Sequence, residues 1–225
     1  MKGLIARRWN DLRVIGETSS GKIALALTFS MVFIGVFAPW VAPYPLGVKT
    51  GPPYAPPSWA HPLGTDDIGE DLLTQLIWAT RGSLTVALAA GGFSTIIGVA
   101  IGLVAGYYGG RLGEGLMRFT DVVLVLPLLP LLIVVAAYFP PSLLLVVSVV
   151  GILSWPMTAR MIRSQTLTLR ARPFVDSSKL SGMNDFEIMF KVLLPNQISL
   201  VMISGVFAAV SAVVVEAGLD FIGLG

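Results

Sequence analysis

Five stretches of this chain, 23–41, 83–107, 122–139, 142–155 and 198–215, contain no charged residue at all. A helix needs about 20 apolar residues to cross the hydrocarbon of a bilayer, and a spanning segment must satisfy its backbone hydrogen bonds within itself. The chain is therefore read as all-α: a polytopic bundle with about five transmembrane helices. Composition supports this, since 55% hydrophobic against 12% charged residues and a mean hydropathy of +0.81 exclude an ordinary soluble domain. The absence of cysteine removes a disulfide framework and a thiolate metal site. No stretch joins a basic patch to the aromatic and polar chemistry of a nucleic-acid reader, so nucleic acid is not expected as a partner.

The charges between the runs set an orientation. Residues 1–22 carry five basic and two acidic residues, and residues 156–197 carry six basic and three acidic, whereas residues 42–82 carry two basic and four acidic. Cytoplasmic loops are enriched in Lys and Arg, which predicts a cytoplasmic N-terminal segment at 1–22 and a first transmembrane helix at 23–41. It then gives an extracytoplasmic loop at 42–82 and a transmembrane core at 83–225 with a cytoplasmic loop at 173–196. A signal peptide fits the first run less well, because Pro39 and Trp40 stand where small cleavage-site residues would be needed.

Three local patterns resemble sites and are read otherwise. Gly16 to Lys22 has the glycine and lysine spacing of a phosphate loop, yet the next residue is Ile23 in place of the Ser or Thr that holds Mg²⁺, so a flexible polar segment is expected. Asp66, Asp67, Glu70 and Asp71 lack the alternate spacing of a calcium loop and are assigned to capping a short amphipathic helix through Leu72 and Ile77. His61 has no ligand set at metal-site spacing and is expected to be a solvated loop residue. No metal and no cofactor is assigned.

Within the crossings, Ser94, Gly98, Gly102, Gly106 and Gly110 recur at every fourth position, a stripe that lets another helix approach closely. Asp121 follows a short charged loop and is expected to cap the third crossing and to pair with Arg118. On the fifth crossing the stripe Ser204, Ala208, Ala212 leads to Glu216, about 27 Å beyond Ile198 at 1.5 Å per residue. That places Glu216 near the far interface, where solvation competes with a role on a substrate path.

The stretch 173–196 is different in kind. Pro173 suits a first helical turn, Phe174, Val175 and Leu180 supply an apolar patch, and Gly182 fits a left-handed C-terminal cap. Asn184 with Glu187 makes a capping box for a second helix, whose Phe186, Met189, Phe190 and Leu193 are expected on one face before Pro195 breaks it.

This stretch resembles the EAA loop of ABC importer permeases: E-A-A, three residues, G, nine residues, then I-x-L-P. Asp176-Ser177-Ser178, Gly182 and Val192-Leu193-Leu194-Pro195 fall at that spacing, with Asp for Glu, Ser-Ser for Ala-Ala and Val for Ile. Further blocks (63–69, 105–110, 154–160 and 218–225) are similar to the dipeptide, oligopeptide and nickel importer branch, and to its C-type permease. Glu70 departs from that branch, which usually has a basic residue there. The resemblance implies one half of a heterodimeric type I permease, working with two cytoplasmic ATPase subunits and an extracytoplasmic solute-binding protein. It implies import of di- or oligopeptides or a related small solute, with no enzymatic chemistry on this chain. It assigns ATPase coupling to Asp176, Ser177, Ser178, Gly182, Val192, Leu194 and Pro195. The family continues beyond its G-L-G segment into another helix, so the sequence is expected to be the front part of a longer chain. The rival reading is a secondary transporter driven by an ion gradient, which calls for ionisable groups or broken helices near the midplane; the crossings before Glu216 offer none. A membrane enzyme would need a clustered His, Cys or carboxylate set.

Overall fold

The computed structural model describes residues 18–140 and 142–221; the expectations for residues 1–17 and 222–225 lie outside the described residues. The chain divides into two compact units, residues 1–84 and 85–225. Among the described residues, helices α1 (Ser19–Val36), α2 (Ala38–Val41), α3 (Leu72–Tyr108), α4 (Gly110–Val125) and α5 (Leu128–Tyr138) are followed by α6 (Leu143–Leu153), α7 (Trp155–Arg170) and α8 (Pro173–Leu180). A short α9 (Asp185–Glu187), a π-turn (Ile188–Leu193), α10 (Leu194–Asn196) and α11 (Ile198–Phe221) complete the order. Among the described residues, four helices are long and apolar enough to cross a membrane: Ser19–Val36, Leu72–Tyr108, Leu143–Arg170 and Ile198–Phe221. The bent pair Gly110–Val125 and Leu128–Val135 makes a fifth when counted as one span. This is the helical bundle that the charge-free runs predict.

Several boundaries differ from the sequence expectation, each for a local reason. Ser19 to Lys22 form the first turn of α1 and not a flexible segment. Leu72 to Ile77 do not form a separate amphipathic helix but open the 37-residue α3, because no proline interrupts 72–108. Arg81 within it leaves the helix intact, its guanidinium lying 5.5 Å from the Trp78 ring centroid. The charged loop expected before the third crossing is helical: α4 buries Gly113, Met117 and Thr120 on one face. Its bend of 67° follows from Pro127, which forces Leu126 into an extended conformation (ψ 120°). The fourth crossing extends past Trp155, since Pro156 sits in the first turn of α7, where it has no backbone donor to lose.

In the second unit one apolar cluster joins Val86 and Ala90 of α3 to Leu132, Val146, Val150, Ala212 and Leu219. Another joins Leu103 and Tyr107 to Ile162, Val175, Ile188, Met189 and Leu193, so the 173–196 stretch shares a core with α3 and α7. In the first unit α1 is almost entirely exposed, with Gly35 buried against Leu84 and Arg81.

The loop preceding α3 is tightly organised by its acids. Asp66 Oδ1 accepts from the backbone N–H of Ile68, Gly69 and Glu70 at 2.8–3.0 Å. Asp71 Oδ2 accepts from Thr74 N at 2.8 Å, so Asp71 is the N-cap of α3. His61 is not solvated: it is 8% exposed, its Nδ1 stands 3.0 Å from Asp71 Oδ1, and the Tyr44 ring lies 5.2 Å away. Ten residues separate His61 from Asp71 and no helical or strand period links them, so the sequence carries no signal for this pair. Burial works to raise the Asp71 carboxyl, but the Thr74 and His61 hydrogen bonds prevail and hold it below the usual carboxylate range.

Candidate functional site

The 173–196 stretch begins with α8, whose Pro173 occupies the first turn. Gly182 has φ +83°, and two bonds end the helix, from Gly182 N to Lys179 O at 2.9 Å and from Met183 N to Ser178 O at 3.2 Å. This paired pattern is the Schellman cap, which needs a residue tolerant of positive φ at Gly182. Ser177 Oγ donates to Pro173 O at 3.1 Å and Ser178 Oγ to Phe174 O at 2.9 Å. The two hydroxyls are thus satisfied inside the helix, which is how Ser-Ser occupies positions suited to Ala-Ala. Asp176, Ser177 and Gly182 are exposed, and Ser178 is half-buried.

Of the expected apolar patch, only Val175 is fully buried. Phe174 is 39% exposed and Leu180 90% exposed. The next helix starts with the capping box: Asn184 Oδ1 accepts from Glu187 N at 2.8 Å, and Glu187 Oε2 accepts from Asn184 N at 3.2 Å. Lys191 Nζ, 2.6 Å from Glu187 Oε1, together with the Asn184 N–H holds the Glu187 carboxyl below its ordinary range.

The single face expected for Phe186, Met189, Phe190 and Leu193 is split by the π-turn. Widening the turn to i→i+5 brings Ile188 and Leu193 into register, and both are fully buried, along with Met189. Phe186 and Phe190 are displaced outward, 65% and 42% exposed, with ring centroids 4.4 Å apart. Val192 and Leu194 are half-buried and Pro195 is exposed; the helix runs through Pro195 to Asn196 and stops at Gln197.

Two polar links tie this stretch to the membrane helices. Tyr107 Oη, at the end of α3, donates to Asp185 Oδ1 at 2.6 Å. Gln197, 2% exposed, donates from Nε2 to Thr166 Oγ1 of α7 at 3.2 Å. Neither pair carries a sequence signal, since 78 and 31 residues separate the partners.

The glycine stripe faces α7. A Cβ at Gly98 would lie 2.6 Å from Thr158 Cβ, at Gly102 2.6 Å from Ala159 O, and at Gly106 2.6 Å from Thr166 Cβ. Gly110 leaves the stripe, with φ +48° and open space around it. Asp121 lies inside α4 and caps nothing; its partner is Arg160 of α7 at 2.5 Å and not Arg118. Glu216 is 7% exposed, on the buried face of α11 with Ser204, Ala208 and Ala212, so it is not solvated within this chain.

Residues 98–225 match the sequence profile of the family described as binding-protein-dependent transport system inner membrane component. The chain is similar to the di/tripeptide transport system permease protein of Pseudomonas aeruginosa, 37% identical over 202 residues covering 87% of this chain and 67% of the relative. It is also similar to the oligopeptide transport system permease protein of Lactococcus lactis subsp. cremoris (36% over 172 residues, 76% of this chain and 58% of the relative). A third relative is the dipeptide transport system permease protein of Haemophilus influenzae (33% over 210 residues, 90% and 71%). The chain thus spans 58–71% of the length of these relatives.

Proposed function

The chain belongs to the binding-protein-dependent transport system inner membrane components, and from that premise we propose that it is one permease subunit of an ATP-driven importer of short peptides. In this reading it pairs with a second permease subunit, receives substrate from an extracytoplasmic binding protein, and is driven by two ATPase subunits that contact residues 173–196 from the cytoplasm. The N-terminal segment lies on that same side.

One observation carries the coupling assignment. The 173–196 stretch is anchored to α3 and α7 from within, yet it turns Leu180, Phe186 and Phe190 outward. A patch of large apolar side chains on a segment outside the spans is stable once a partner covers it. A groove on an ATPase that grips α8 would move the α8–π-turn unit as one body, and the shared core of Val175, Ile188 and Leu193 with Leu103 and Ile162 would carry the movement into α3 and α7. The buried acid Glu216 and the stripe Ser204, Ala208, Ala212 are assigned to the face of α11 bordering the substrate path.

The test is uptake by the complete transporter, with its binding protein and ATPases, in proteoliposomes. Leu180→Asp is expected to leave ATPase assembly weak and to cut ATP-driven peptide uptake by about tenfold or more, the scale of losing one well-buried interface anchor. Unchanged uptake and unchanged ATPase retention in L180D and in Phe186→Asp would sink the coupling assignment. Uptake that survives ATP depletion and collapses with an ionophore would replace the ATP-driven reading altogether.

A further inference from the structure

Two clefts in the second unit lie against the same pair of helices. One, of about 520 Å³, is walled by α4, α7 and α11 residues including Leu124, Met157, Met161 and Phe207. The other, of about 370 Å³, is lined by Met117, Asp121, Arg160, Arg163, Ser164 and Leu167. Residues three or four apart on one helix face lead from the second cleft into the first: Met117, Asp121, Leu124 on α4, and Ser164, Met161, Met157 on α7. The apolar slot therefore ends at a charged one.

The charged end carries two guanidinium groups against one carboxylate. Arg160 Nη2 donates to Asp121 Oδ1, which fixes that arginine in place. Arg163 has a buried Nε with no hydrogen-bond partner among the described residues. Arg163 also lines the cleft, and its planar guanidinium is shaped for an oxyanion. The apolar slot is not purely hydrocarbon: Ser154, Thr158 and Ser211 also line it. Hydroxyls serve a chain bearing amide groups, whereas a lipid acyl chain has nothing to bond to them. Met157 and Met161 adapt to side chains of varied shape.

We infer that these clefts form a way station for the free C-terminal carboxylate of a peptide, held at Arg163 and Arg160 with its last apolar side chain in the slot beside Met157 and Met161. The inference rests on the peptide reading above and deepens it, by naming a free terminal carboxylate as the substrate feature this chain reads. Asp121 keeps Arg160 oriented and limits the net charge, so the anion is held and can leave.

The test uses the complete permease and ATPase complex in phosphatidylcholine nanodiscs without the binding protein, so that upstream selection plays no part. Two tripeptides with a photoactivatable diazirine leucine at the last position, one the free acid and one the amide, are crosslinked and the labelled residues mapped by mass spectrometry. The acid is expected to label the 117–126 and 157–167 segments on the order of tenfold more than the amide, the scale of one charged hydrogen-bonded pair. Arg163→Gln should bring the acid down to the amide level, and Arg163→Lys, which keeps charge but not the fork, should fall between. Equal labelling by acid and amide in the unchanged complex overturns the inference without any variant being needed. So does acid labelling that R163Q leaves unaltered. An anionic phospholipid co-purifying with the unchanged complex and lost in R163Q, with no peptide labelling, overturns it in favour of a lipid-headgroup site. ATP-driven uptake of the same peptides with the binding protein present reports separately: intact uptake with failed labelling removes only the way station, and absent uptake removes the peptide reading as well.

Discussion

At single positions, a close approach that constrains the bundle is that of α7 to the glycines of α3. At Gly102 the nearest obstacle to a Cβ is the backbone oxygen of Ala159, which cannot rotate away as a side chain could. Gly102→Val should therefore separate the two helices and destabilise the folded subunit by about 1–3 kcal/mol, the usual cost of overpacking. Thermal unfolding in detergent, followed by retention on size-exclusion chromatography, checks this; G102V with an unshifted midpoint would show that α7 does not depend on the close approach. The His61–Asp71 pair is the residue-scale constraint of the first unit. The Asp71 carboxyl is depressed in the fold, so its stabilising contribution is complete above the ordinary carboxylate range and is lost as pH falls through the depressed value. Limited proteolysis of the 42–71 loop should accordingly stay slow from neutral pH down to about 4 and accelerate only below it. Acceleration between pH 7 and 5 would mean that another group controls the loop.

Among the elements, the junction between α8 and the π-turn matters most, because it is where two capping devices meet. Gly182 at φ +83° stands in open space, with nothing within 4 Å of where a Cβ would sit, so replacing it is a backbone problem alone. Gly182→Ala should cost about 1–2 kcal/mol of local order and fray α8 without disturbing the membrane helices. Hydrogen exchange should rise for amides between Asp176 and Asn184 and stay level for α3 and α7; equal rises everywhere would contradict a local effect. Much of this element is legible in the sequence. Pro173 in the first turn, the left-handed Gly182 and the Asn184–Glu187 box are short-range signals, and each appears where its spacing indicates. The π-turn is not legible, since nothing in Ile188 to Leu193 separates i→i+4 from i→i+5 bonding until Ile188 and Leu193 meet Leu103 and Ile162. The same reason explains Leu180, which belongs to a buried patch by composition yet is turned outward by the phase of α8. Helix ends differ where polar residues suggest loops: 110–121 and 72–77 are helical because no proline or cap stops them.

For the whole molecule, the number of apolar runs matches the bundle because charge-free length depends on no tertiary contact, while the pairs that link distant segments, Tyr107 with Asp185 and Arg160 with Asp121, depend on nothing else. The proposed function adds a requirement on sidedness. Between the 42–71 loop and the 173–196 stretch the chain passes through α3, the bent α4–α5 pair and the α6–α7 span, an odd number of crossings when the bent pair counts as one. On the proposed reading the two segments face opposite sides of the membrane, with the basic stretch toward the cytoplasm. The 225 residues contain no cysteine, so a substituted one is the only thiol among them. Trp59, at 103% relative exposure, and Leu180, at 90%, are accessible sites in the two segments. Trp59→Cys should react with a membrane-impermeant maleimide added to intact cells, and Leu180→Cys should react only after the membrane is opened and the ATPase subunits are stripped away. Labelling of both from outside would show that the bent pair turns back without crossing, which would place residues 173–196 beyond the reach of a cytoplasmic ATPase.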